Sequence, residues 1–195
     1  MARKPRAVSA TGVYHFINRG VNRKKLFHRP KDYEYYLGLI HEYKTRFEMQ
    51  IYHYCLMINH SHLLLKVEEI ANLSRFAHFI QRRYAYYYCK SYKWNGQVFQ
   101  NRYKSIPVEK DSYLLECGRY IERNPVRAKL VADPGDFSYS SYAHYAAGRE
   151  NRLITPNPLY LEMGESDTER AAIYRGYAAT QRPYEEILDG VLVPF

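Results

Sequence analysis

Two strand-length runs stand almost back to back in this chain, and no other stretch limits its fold as tightly. Gln50–Met57 carries Ile51, Tyr52, Tyr54 and Leu56, His60–Val67 follows at once, and a tight turn at Asn59 joins them. Runs so close can pair only as an antiparallel hairpin. Successive side chains of a strand point to opposite faces, so His60 and His62 share one face while Ser61, Leu63 and Leu65 take the other. The leucines mark the packed side. Two imidazoles side by side on a rigid strand can present two ring nitrogens to one metal ion. Polar surface or a hydrogen-bonded core pair is the structural alternative, because the spacing supplies only two ligands.

The flanking pattern extends the hairpin into a fold. Val13–Asn18 reads as a strand closed by Arg19-Gly20. Tyr33, Tyr36, Leu37, Ile40, Tyr43 and Phe47 recur at helical spacing and predict a helix over 31–47. Asn72 is placed to N-cap a helix over 73–89 with Leu73, Phe76, Ala77, Ile80, Tyr84 and Tyr87 on one stripe. After the Asn95-Gly96 turn, residues 97–108 read as a fourth strand. Strand, helix, strand, strand, helix, strand is the α+β, ferredoxin-like arrangement βαββαβ. It predicts an antiparallel sheet with helices on one face and the other face free for a substrate. Residues 1–148 are expected to form this domain, and 149–195 a C-terminal helical extension packed on it. No apolar run approaches the roughly 20 residues of a membrane span. Cys55, Cys89 and Cys117 are odd in number and widely spaced, as buried thiols of a reducing cytoplasm would be.

Charge points to the partner. Lys and Arg number 29 against 20 Asp and Glu, a net +9, and 22 tyrosines are interleaved with them. Positive charge attracts phosphates irrespective of base sequence, and aromatic rings stack on unpaired bases. The residues that fit nucleic-acid contact are Arg3, Lys4 and Arg6 of the N-terminal arm and Arg19, Asn22, Arg23 and Lys24 after the first strand. Arg82 and Arg83 on the second helix, Arg102 and Lys104 alternating with apolar positions on the fourth strand, and Arg127 complete the set.

A later helix, starting near Asp111 or Ser112, carries Tyr120 and Asn124. Four residues apart, they share one face if the helix persists. A tyrosine hydroxyl can act as a covalent nucleophile, and an amide oxygen is a hard ligand suited to Mg²⁺ or Mn²⁺. Core packing is the alternative for Tyr120. Asn124 precedes Pro125 and could instead N-cap a short helix over 126–131.

Four segments together are similar to one family: Tyr14-His15-Phe16-Ile17-Asn18-Arg19-Gly20, Asn59-His60-Ser61-His62-Leu63-Leu64-Leu65, Gln100-Asn101-Arg102-Tyr103-Lys104-Ser105, and Arg119-Tyr120-Ile121-Glu122-Arg123-Asn124-Pro125-Val126-Arg127-Ala128. They resemble the REP-associated tyrosine transposases, relatives of the small insertion-sequence transposases in the HUH nuclease superfamily. The resemblance implies that His60 and His62 bind a divalent metal, Mg²⁺ or Mn²⁺, with Asn124 at the third-ligand position. It implies that Tyr120 attacks single-stranded or hairpin DNA through a 5′-phosphotyrosine intermediate. It also implies a monomer, with a dimer as the alternative, in the cytoplasm at the nucleoid. Ser61 departs from the bulky apolar residue usual between the histidines, a change expected to affect packing rather than chemistry. A non-catalytic module that binds structured nucleic acid, and a metal-dependent hydrolase, are the competing functions.

Overall fold

A computed structural model of the chain describes residues 7–180, so Arg3, Lys4 and Arg6 lie outside the described residues. Strands β1 (Val13–Arg19), β2 (Gln50–Met57), β3 (His60–Lys66) and β4 (Lys104–Pro107) form one antiparallel sheet in the order β2-β3-β1-β4. Helix α1 (Pro30–Arg46) joins β1 to β2, and α2 (Ile70–Tyr92) joins β3 to β4. This is the ferredoxin-like order expected.

Residues opposite one another in an antiparallel ladder share a face. Arg19 pairs with His60, Ile17 with both His62 and Lys104, and Cys55 with His62. One face therefore carries Arg19, Ile17, His15, His60, His62, Cys55 and Lys104. The other carries Phe16, Leu63 and Leu65, which join a fully buried cluster with Leu39 and Ile40 of α1 and Phe76 and Ile80 of α2. Ser61 lies on this helix side, buried, with its hydroxyl 3.0 Å from the Tyr36 hydroxyl. It points away from the histidines.

Three local expectations need correction. Helix α2 begins at Ile70, not Leu73, so Asn72 stands inside its first turn and Glu69 occupies the N-cap without a side-chain cap bond. Ile70 packs against the core, and that contact extends the helix backwards. The fourth strand is only Lys104–Pro107. Residues 97–103 keep only an isolated antiparallel bridge, Phe99 to Gly20, while Val98 and Tyr103 turn into the helix-side core, Tyr103 stacking on Phe16 at 4.9 Å. Finally, the face expected to stay free is partly covered. Helix α3 (Asp111–Arg127) packs on β2 and β3, burying Leu114, Cys117 and Ile121 against Tyr52, Cys55 and Leu64.

The approach of α3 to β2 is close enough to demand glycine at 118, where a Cβ would lie 2.5 Å from the His53 ring. One turn later Glu122, fully buried, accepts from His53 Nδ1 at 2.9 Å, Ser141 Oγ at 2.5 Å and the Tyr174 hydroxyl at 2.6 Å. Those partners belong to β2, to the residue preceding α4 (Tyr142–Ala147), and to α6 (Asp167–Ala179). Helix α5 (Pro158–Leu161) also packs on α3. Arg119 and Arg123 donate to the carbonyls of Thr180 and Ala178 at the end of α6. Among the described residues no helix is long and apolar enough to cross a membrane.

Candidate metal and nucleophile site

The hairpin and α3 assemble the site between them. On β3, the His60 and His62 rings lie 4.8 Å apart between centroids and nearly perpendicular. His60 Nδ1 is 2.6 Å from Asn59 Oδ1, and the Asn59 amide nitrogen donates to the Arg23 carbonyl, which fixes the amide's orientation. His60 must therefore carry its proton on Nδ1. His62 Nδ1 faces His15 Nε2 at 2.8 Å. Among the described residues no hydrogen bond engages the Nε2 atom of either His60 or His62.

Burial keeps these rings uncharged. It pushes His15 down to about 3, with His60 adding repulsion, and His60 down to about 4, with Arg19 adding to it. His62 is held well below the ordinary histidine value by burial, then by His60, His15 and Arg127. Uncharged imidazole with a lone pair on Nε2 is the form that binds metal.

Tyr120 presents its ring edge-on to both His62 and His15, at centroid distances of 6.3 and 6.1 Å. It is 2% exposed, and the Arg127 guanidinium lies 4.8 Å from its ring centroid. Helix α3 persists to Arg127, so Tyr120 and Asn124 do occupy one face, and the alternative of Asn124 as N-cap of a helix over 126–131 is overturned. Pro125 has no N–H and cannot bond the Ile121 carbonyl. Asn124 Nδ2 does so instead at 3.2 Å, and also donates to the Tyr120 carbonyl at 2.9 Å. With Nδ2 committed to backbone, Oδ1 is the atom left for a cation. Two imidazoles and one amide oxygen would make a mixed N/O donor set, the oxygen being the donor suited to Mg²⁺ or Mn²⁺. Among the described residues no group of three or more His, Cys, Asp or Glu could hold a metal, so such a set depends on a residue outside those types.

Basic residues border this face unevenly. Arg19 stands opposite His60, and Lys104 lies across β1 from His62. Burial, then mutual repulsion, depresses both: Arg23 acts on Arg19, and Arg19 on Lys104. Such crowded positive charge attracts a phosphate backbone. Asn22 and Arg23 sit in a left-handed turn beside Asn59, and Lys24 lies over the Trp94 ring. Arg102 is exposed just before β4. Arg82 and Arg83 are elsewhere: with Glu42, Arg46, Phe79 and Tyr86 they line a groove of about 400 Å³ between α1 and α2, behind the sheet. His15 stands beside His62 at this site, a neighbour that the sequence pattern did not identify. Its proximity to His62 depends on the β1–β3 register, which the sequence of β1 does not reveal.

A family model described as "Transposase IS200 like" matches residues 9–124. The fold matches that of a REP-associated tyrosine transposase solved bound to a REP hairpin, with a TM-score of 0.65 and 18% identity over 80% of this chain and 93% of that one. A protein assigned as a transposase from Deinococcus radiodurans R1 aligns with a TM-score of 0.43 and 19% identity over 63% of this chain and 97% of its own. No curated protein matches the sequence.

Proposed function

The chain belongs to the IS200-like transposase family, and from that premise we propose that it nicks single-stranded DNA at hairpin repeats and transfers the cut strand through a tyrosine intermediate. The observation that carries this reading is the Tyr120 ring lying edge-on to His62, on the same side of the sheet as both unengaged Nε2 atoms. The hairpin substrate is suggested by the REP hairpin bound to the structural neighbour.

His60, His62 and Asn124 would hold a Mg²⁺ or Mn²⁺ ion. When bound, the ion polarises the scissile phosphate and neutralises charge developing on it. The Tyr120 oxygen attacks phosphorus, the bond to the 3′ oxygen breaks, and the DNA 5′ phosphate is left on tyrosine. The phenol proton is lost during attack, and the departing 3′ oxygen becomes a hydroxyl. Attack by another 3′-hydroxyl reverses the step and releases Tyr120, which distinguishes strand transfer from hydrolysis. Arg127 lies over the Tyr120 ring, and Arg19 and Lys104 add positive charge on the same face of the sheet. Because Tyr120 is 2% exposed, the attack requires a local movement that opens its hydroxyl to the DNA.

That same burial favours one competing reading, a binding module whose tyrosine only packs. A labelled hairpin oligonucleotide with a single-stranded flank, incubated with Mn²⁺, separates the two. Strand transfer predicts a denaturant-stable protein–DNA adduct that disappears in Tyr120→Phe and with chelator, while hairpin binding survives. Undiminished nicking by Tyr120→Phe, or chelator-indifferent binding without any adduct, would overturn the proposal.

A further inference from the structure

We propose that His15 is a positioning residue for the cation: its Nε2 accepts the Nδ1 proton of His62 and so turns the His62 Nε2 lone pair toward the metal. The inference rests on the reading of His60 and His62 as ligands, and it assigns a residue outside that set.

The argument starts from two imidazoles facing each other nitrogen to nitrogen at 2.8 Å, with their ring planes tilted by 32°. One proton lies between them. If it belongs to His15 Nε2, then His62 accepts at Nδ1, carries its own proton on Nε2, and cannot ligate through that atom. If it belongs to His62 Nδ1, then His62 Nε2 presents a lone pair, and the proton of His15 sits on its Nδ1. That Nδ1 atom is buried without a hydrogen-bond partner. A buried donor left unpaired is destabilising, so the metal-free protein gains little from the second arrangement. Cation binding supplies the missing preference. The Asn59–His60 pair already stands in the equivalent form, proton on Nδ1 and lone pair on Nε2.

Geometry also separates His15 from an ordinary core residue. It is 1% exposed, lies on the metal-side face of β1, and has Tyr120 edge-on at 6.1 Å. A phenylalanine there would fill similar space with no unpaired nitrogen. Ligating histidines are generally oriented by a partner on the second ring nitrogen, and loss of that partner weakens metal binding about 10–100-fold. Here the partner is another imidazole, which can change tautomer to suit.

The test is calorimetric Mn²⁺ binding to the full chain without DNA. His15→Phe should bind about 10–100-fold more weakly than wild type. His15→Gln, whose amide oxygen reaches roughly the place of Nε2, should stay within about threefold of wild type. His62→Ala should lose binding. Nitrogen-15 spectra of the Mg²⁺-loaded wild type should show His62 protonated on Nδ1 and His15 on Nδ1, a readout that needs no variant to fold. His15→Phe binding as tightly as wild type while His62→Ala fails, or loaded His62 protonated on Nε2, would overturn the role of His15 and leave the ligand reading standing. A wild-type chain that does not bind Mn²⁺ overturns the ligand reading itself, and this inference with it.

Discussion

Removal of the Glu122 carboxylate should loosen the helix that carries Tyr120. The His53 tautomer is determined by its surroundings: Asn157 Oδ1 accepts from the Leu159 amide, so Asn157 Nδ2 faces His53 Nε2 at 3.1 Å. The His53 proton therefore resides on Nδ1, aimed at Glu122 Oε1. In Glu122→Ala, Ser141 Oγ can redirect its proton to the Tyr54 carbonyl 3.3 Å away. His53 Nδ1–H and the Tyr174 hydroxyl have no comparable escape. Two orphaned buried donors at about 1–3 kcal/mol each give a loss of about 2–6 kcal/mol. Domains of this kind have about 5–15 kcal/mol in total, so the variant should be marginal, with Tm lowered on the order of 10 °C. Glu122→Gln keeps the oxygen that serves His53 and Ser141 and should lose only about 1–3 kcal/mol, through Tyr174. Urea unfolding followed by circular dichroism should rank wild type above Gln and Gln above Ala. An Ala variant within about 0.5 kcal/mol of wild type, smaller than even one unpaired donor would cost, refutes the reasoning.

The two faces of the sheet should differ in nucleic-acid binding. Arg19→Ala and Lys104→Ala should each weaken hairpin binding several-fold and reduce the slope of log affinity against log salt by about one, measured by fluorescence anisotropy. Arg82→Ala and Arg83→Ala, behind the sheet, should leave that slope unchanged; equal effects from both pairs would remove the assignment of the histidine face. The cysteines should react in order of access: burial pushes Cys117 up to about 12 and raises Cys55, so both stay thiols at pH 8. Half-buried Cys89 should be alkylated first in the native protein, and Cys117 should stay unreactive until the pH nears 12 or the chain unfolds.

The hairpin, the alternation along β3 and the helical stripes of α1 and α2 were legible in the sequence because each depends on neighbours a few residues away. A period of two put His60 and His62 on one face, and a period of 3.6 put Tyr120 and Asn124 on another. The order of these local units was enough for the ferredoxin-like topology. Local pattern could not say where the units meet. The β1–β3 register alone brings His15 Nε2 to His62, and the packing of α3 on β2 converts a face expected to be free into a half-covered site. Arg82 and Arg83 looked equivalent to Arg19 and Lys104, since charge is readable in sequence but the side of a sheet it faces is not. Glu122 gave no warning at all, because its three donors lie 19 to 69 residues away along the chain. Contacts of that range exist only once the chain has closed, which is why the parts of this site were visible beforehand and their assembly was not.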